Sequence, residues 1–137
     1  VKKYEILEHT ADVRISAEAS SIKELFEALL EALDEILLPA DMRAEARDII
    51  EREIVVESFD RQALLVDFLS DCLAQSYCDK AIFELASINF LSENKLKARL
   101  KGKRCTAFHR DIKAVTHHEA FVVENEEGFK ANIVLDL

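Results

Sequence analysis

The stretch Val13-Arg14-Ile15-Ser16-Ala17-Glu18-Ala19-Ser20-Ser21-Ile22-Lys23-Glu24 changes its hydrophobic period halfway along, and that change decides the fold class. Up to Ala19, the apolar Val13, Ile15, Ala17 and Ala19 alternate with Arg14, Ser16 and Glu18, the pattern of a strand with one buried face. Ser21-Ile22-Lys23-Glu24 then has the form of a capping box. The Ser21 hydroxyl can accept from an early helical N–H while Glu24 reaches back. Beyond it, Ile22, Leu25, Phe26, Leu29, Leu33, Ile36 and Leu37 recur at helical spacing and stop before Pro39, so a helix is predicted between Ser21 and Pro39.

Working outward, Tyr4 to Leu7 is a short strand that pairs with the first, which puts Asp12 on the turn between them. Asp41 to Asp48 reads as either a helical turn or a polar loop. Ile49 to Glu57 is a strand with Ile50, Ile54 and Val56 on one side. Asp60 is a good N-cap for a second amphipathic helix carrying Leu64, Leu65, Phe68, Leu69, Cys72 and Leu73, with Asp67 and Asp71 on its polar face. After Lys80 the pattern turns to strands. Ile82 to Phe90 loses its alternation near Ala86 and Ser87, which predicts a bulge. Lys95 to Lys101 turns Leu96, Ala98 and Leu100 inward. Ala120 to Glu124 and Phe129 to Asp136 flank a hairpin loop, Asn125-Glu126-Glu127-Gly128, whose glycine can take positive φ. The order lacks the regular alternation of a doubly wound sheet. It predicts an α+β fold, a single domain over 1–137 with two amphipathic helices packed on a largely antiparallel sheet.

The totals agree with one domain. The chain has 137 residues, enough for a core without disulfides, and with two Gly and one Pro it has little material for a flexible linker. Cys72, Cys78 and Cys105 form an odd set without a CxxC pair, which points to a reducing compartment and hence the cytoplasm. The first residues are charged and no apolar run reaches the roughly 20 residues that span a bilayer, so no membrane role is expected. The net charge of −9 disfavours nucleic-acid backbone on average. It conceals a basic segment in which Lys95, Lys97, Arg99, Lys101, Lys103, Arg104, Arg110 and Lys113 stand against one acid, Asp111.

Two carboxylates attract attention. An Asp at a turn, such as Asp12, ordinarily caps local N–H groups, and a penultimate acid, such as Asp136, is ordinarily solvated. Asp136 nevertheless alternates away from Ile133 and Leu135, so it projects from the face opposite the buried one, and pairing of the first and last strands would bring it to Asp12. With the carboxylate of Leu137 the two would make a compact set of hard oxygen donors, suited to Ca²⁺, Mg²⁺ or Mn²⁺ and not to zinc. Among His9, His109, His117 and His118, the adjacent pair points to opposite faces of a strand and makes a poor zinc set. His9 is expected to brace the Asp12 turn. No glycine-rich phosphate loop, nucleophile elbow or Cys/His dyad is present, which disfavours an autonomous transferase.

Three segments, His9-Thr10-Ala11-Asp12, Ile112-Lys113-Ala114-Val115-Thr116 and Val134-Leu135-Asp136-Leu137, together resemble the archease family over nearly the whole chain. The helix segment Asp60 to Leu69 resembles the family as well. The resemblance implies a metal-binding, chaperone-like accessory factor in tRNA splicing, not an enzyme, that keeps an RtcB-type RNA ligase turning over by promoting its GTP-dependent guanylylation. It implies a divalent metal at Asp12, Asp136 and Leu137 and a functional lysine, Lys113, beside it. GTP would be used by the ligase, and tRNA or other RNA would be met through the ligase. Leu137 stands where Ile is usual, His117 where Tyr is, Gln62 where Glu is commoner, and Ala19-Ser20 lacks a frequent Gly.

Two alternatives remain open. Lys95, Lys97, Arg99 and Lys101 share one strand face, as in an RNA-binding module, although no interleaved aromatics offer a stacking platform. Clustered carboxylates also activate water, as in a small metal-dependent hydrolase, although no substrate pocket or dedicated base is legible.

Overall fold

The computed structural model describes residues 1–8, 12–44 and 48–137, with Glu8 as backbone alone. Strands β1 (Lys2–Glu8) and β2 (Asp12–Ala19) lead into helix α1 (Ile22–Leu37), strand β3 (Ile49–Glu57) and helix α2 (Arg61–Asp79). Strands β4 (Ala81–Leu91), β5 (Lys95–Arg104), β6 (Ala114–Asn125) and β7 (Gly128–Asp136) complete the chain. The expectation for His9 falls outside the described residues. Of the uncertain Asp41–Asp48 stretch, Ala40–Met42 forms a short 3₁₀ helix.

Both helices start where their caps require. The Glu24 N–H donates to Ser21 Oγ at 3.2 Å and the Ala63 N–H to Asp60 Oδ1 at 2.8 Å, each satisfying one of the donors a helix N-terminus leaves open. α2 ends on Lys80 in the left-handed region, φ 50°, with its N–H donated to Ser76 O.

The strands divide into two antiparallel sheets, β1-β2-β7-β6 and β3-β5-β4, a split that the hydrophobic pattern alone did not mark. α1 packs on β1, β2 and β7 and also on β4, while α2 packs on β6 and on β3, β4 and β5. The helix pair therefore forms a middle layer, and α1 is buried over most of its surface, as a helix enclosed on several sides must be. Phe26 of α1 and Phe68 of α2 meet with ring centroids 5.2 Å apart. One continuous core links Ile15, Leu29, Leu33, Leu65, Phe83, Leu100 and Ile133 across the layers. Among the described residues no helix is long and apolar enough to cross a membrane.

The bulge falls where the alternation slips, with register shifts between Leu85 and Ser87 and between Ile88 and Phe90. Two features differ from expectation. Asn125 pairs with Gly128, so only Glu126 and Glu127 form the hairpin loop, and β6 begins at Ala114, six residues before the expected start. Its register breaks between Thr116 and Phe121, where Glu119 takes φ 56°. That irregularity destroys period two and hides the first half of the strand from a reading of alternation.

Candidate metal centre

β2 and β7 run antiparallel with Asp12 directly opposite Asp136, and Ala114 of β6 lies on the other side of Asp136 in the same row. Directly opposed residues share a sheet face, with Cβ atoms about 4.5–5.5 Å apart. The two expected acids are therefore brought together by strand pairing. The next row holds Val13, Leu135 and Val115 on the opposite face, all buried. A slip of one residue would bury the carboxylates and expose that apolar row, so the core fixes the register that opposes the acids.

Like charges directly opposite each other destabilise a sheet. Among the described residues neither the Asp12 nor the Asp136 side chain has a hydrogen bond or an ion pair to offset the repulsion. Asp12 is half-buried, Asp136 is exposed, and the half-buried Leu137 follows with its main-chain carbonyl oxygen. A hard divalent cation suits this donor set: two carboxylates and a main-chain oxygen, with no sulfur or imidazole. No group of three or more His, Cys, Asp and Glu side chains gathers into a metal cage among the described residues. The pair would thus complete its coordination from Leu137 and from water.

Lys113 enters the same end of the sheet from the loop before β6. Its N–H donates to Asp136 O at 2.7 Å, and its side chain is exposed. Thr116 Oγ1 donates to Val134 O at 3.1 Å. The two adjacent histidines find different partners: His117 Nε2 lies 3.4 Å from Asp67 Oδ1 on α2, and His118 Nε2 lies 3.7 Å from Glu119 Oε1. They do not converge on one point. His109 contributes its N–H to Leu37 O at the end of α1, at 2.8 Å.

Sequence reasoning missed four residues that shape this end of the molecule, Tyr77, Arg14, Glu119 and Asn132. Tyr77 of α2 fixes Ile112, next to Lys113, through its hydroxyl. Arg14 pairs with Glu119, whose carbonyl oxygen also accepts from Asn132 Nδ2 at 3.1 Å, so the irregular part of β6 is tied to both β2 and β7. A long-range hydrogen bond leaves no local signature; the pattern break at residues 117–120 was the one signal available.

Three of the four cations on this face of the basic strand meet acids across sheet rungs, while Lys97 stands between Val55 and Phe90. Lys95 pairs with Glu57 at 3.2 Å and Arg99 lies 3.8 Å from Glu53 Oε1, while Lys101 stands between Glu51 and Glu84 in register. The acids of β3 that provide this balance alternate along Ile49–Glu57 and were legible there.

A family model described as the Archease protein family matches residues 4–137. The protein archease of Methanosarcina mazei is 31% identical over 99% of this chain and 97% of its own length, and that of Pyrococcus abyssi is 28% identical over 100% of both. Among solved structures, the solution structure of a Methanobacterium thermoautotrophicum protein matches with TM-score 0.74 and 26% identity, covering 98% of each chain. The crystal structure of a Thermotoga maritima protein, described as an archease and possible chaperone, matches with TM-score 0.58 and 23% identity over 96% of this chain and 94% of that one. The opposed acids thus sit in a chain matched from end to end by sequence and by fold, and it belongs to the archease family.

Proposed function

We propose that this protein is an accessory activator of an RtcB-type RNA ligase, acting in tRNA splicing or related RNA joining through a divalent-metal site at Asp12, Asp136 and Leu137. The observation that carries the reading is the direct opposition of Asp12 and Asp136 in a member of the archease family. When bound, the ion would neutralise the carboxylate pair and supply positive charge for phosphate oxygens at the ligase nucleotide site. The chain's own residues do the positioning. β2 and β7 hold the two acids in register, while Lys113, anchored through its N–H to Asp136 O and exposed, would offer its ammonium to a phosphate or a carboxylate of the ligase. GTP is consumed by the ligase in its guanylylation, and RNA is met through the ligase. The acids that meet Lys95 and Arg99 on the outer face of β5 favour this reading over direct RNA binding.

The test is multiple-turnover RNA ligation by the cognate ligase with GTP and Mn²⁺, with and without this protein. Stimulation by the intact chain, lost in folded Asp12→Ala and Lys113→Ala variants, is the expected result. Failure of the intact chain to stimulate either guanylylation or turnover would remove the proposal.

A further inference from the structure

Arg14 stands two residues along β2 from Asp12 and directly opposite Val134, which sets it diagonal to Asp136 on the face that carries both acids. Diagonal neighbours in a sheet lie within reach of a long side chain, and the guanidinium fork matches a carboxylate. Two opposed carboxylates should therefore draw Arg14 in. It turns the other way: its Nη2 pairs with Glu119 Oε2 on β6, and among the described residues it makes no ion pair with Asp12 or Asp136. Glu5 of β1 is also diagonal to Arg14 and is passed over in the same way.

Glu119 reaches Arg14 only because β6 is irregular. Thr116 pairs with Val134 and Phe121 with Asn132, so residues 117–120 stand against Ile133 alone. Continued in regular register from Thr116, the strand would set Glu119 opposite Ala131, in the buried row. The bulge instead brings its carboxylate to the outer face, at a cost to its backbone. Glu119 takes φ 56°, in the left-handed region where a residue with a Cβ is strained. Asn132, 4% exposed, donates from Nδ2 to the Glu119 carbonyl oxygen at 3.1 Å, so a buried amide is directed to this one strained residue. His118 Nε2 lies 3.7 Å from the other carboxylate oxygen, Oε1.

We infer that Glu119 is a positioning residue of the metal centre: it holds the Arg14 guanidinium away from Asp12 and Asp136 and so keeps the acid pair open to a divalent cation. The inference rests on the metal site proposed above and accounts for why a neighbouring arginine does not fill it. A guanidinium settled on the pair would occupy the oxygens that a hard cation needs, and the ion would have to displace it. Freed from Glu119, Arg14 would have two opposed carboxylates on one side and the single carboxylate of Glu5 on the other, and the pair exerts the stronger pull.

Calorimetric titration with Mn²⁺ compares the intact chain with Glu119→Gln, Arg14→Gln and the double variant, in about 0.15 M salt so that the loss of a distant exposed charge is largely screened. Affinity is expected to fall roughly tenfold in Glu119→Gln and to return to within about twofold of the intact value in the double variant, which lacks the competing cation. Arg14→Gln alone should bind as tightly as the intact chain or more so. A role that only ties β6 to β2 would leave the double variant no better than Glu119→Gln. Unaltered affinity in Glu119→Gln, a loss that the second substitution does not restore, or a loss in Arg14→Gln alone would overturn the inference and leave the metal site standing. No Mn²⁺ binding by the intact chain would remove the metal site and this inference with it. Glu119→Asn, whose short amide suits positive φ, repeats the comparison if Glu119→Gln folds poorly.

Discussion

Tyr77 and Ile112 exchange two hydrogen bonds: the Ile112 N–H donates to the Tyr77 hydroxyl at 2.7 Å, and the hydroxyl donates to the Ile112 carbonyl at 2.8 Å. The Tyr77 ring also meets Phe108 edge to face, with centroids 5.3 Å apart. One side chain of α2 thereby stands in for a strand neighbour and fixes the backbone of a buried residue just before Lys113. The lysine is then held from both sides, by Ile112 anchored to the helix and by its own N–H bound to Asp136 O.

Tyr77→Phe keeps the ring and removes both hydrogen bonds, leaving buried backbone groups of Ile112 unpaired. A stability loss of about 1–3 kcal/mol is expected in urea unfolding. Ligase stimulation should fall while divalent-ion affinity stays at the level of the intact protein, because Asp12 and Asp136 are untouched. Unchanged stimulation in the folded variant would show that the position of Lys113 does not depend on this anchor.

Gly128→Ala tests the opposite end of β7, roughly 26 Å from Asp136 at the usual rise per strand residue. Gly128 has φ 134°, and a Cβ there would run into the carbonyl oxygen of Ala19. Strain of this kind costs on the order of 1–3 kcal/mol. A lower thermal midpoint with unaltered metal affinity is expected. A change in metal affinity as large as that in stability would mean that the two ends of the sheet are coupled.

Asp34 should impose a pH dependence on stability. Burial holds its carboxyl protonated in the folded chain well above the range in which it ionises when unfolded. The stability attached to that proton is complete below the ordinary carboxylate value and is lost as pH rises from there through the raised folded value. Asp34→Asn cannot ionise, so its stability relative to the intact chain should improve as pH rises from the ordinary carboxylate range through the raised value of the folded chain. Unfolding midpoints in urea across that range provide the check, and a constant difference between the two proteins would place an ionised Asp34 in the folded state.

Much of the fold was legible because local signals agreed with it. Ser21 and Asp60 both cap helices, Ile49–Glu57 is a strand over its full predicted length, and the slip near Ala86 is a bulge. The first half of β6 was hidden by the residues around Glu119, whose backbone departs from the extended pattern. The division into two sheets was hidden for a different reason. An amphipathic pattern says that α1 buries a face, and says nothing of how many layers do the burying. The acids of the candidate centre could be opposed on paper because alternation fixes faces and a pairing of N- and C-terminal strands would bring them together; β2 and β7 make that pairing. Asp34 could not be found in this way, since an acid in an amphipathic helix reads as part of its solvent face, and only the packing of α1 against β4 shows that it is buried.

Everything proposed for the function passes through the Asp12–Asp136 pair, and a calorimetric titration of the intact protein with Mn²⁺, repeated on Asp12→Asn and Asp136→Asn, tests it most directly. One saturable site is expected, weakened roughly tenfold or more by either substitution, with unfolding midpoints raised because the repulsion between opposed carboxylates is relieved. Saturable binding that survives both substitutions, or no binding by the intact chain, would contradict a metal site at this pair.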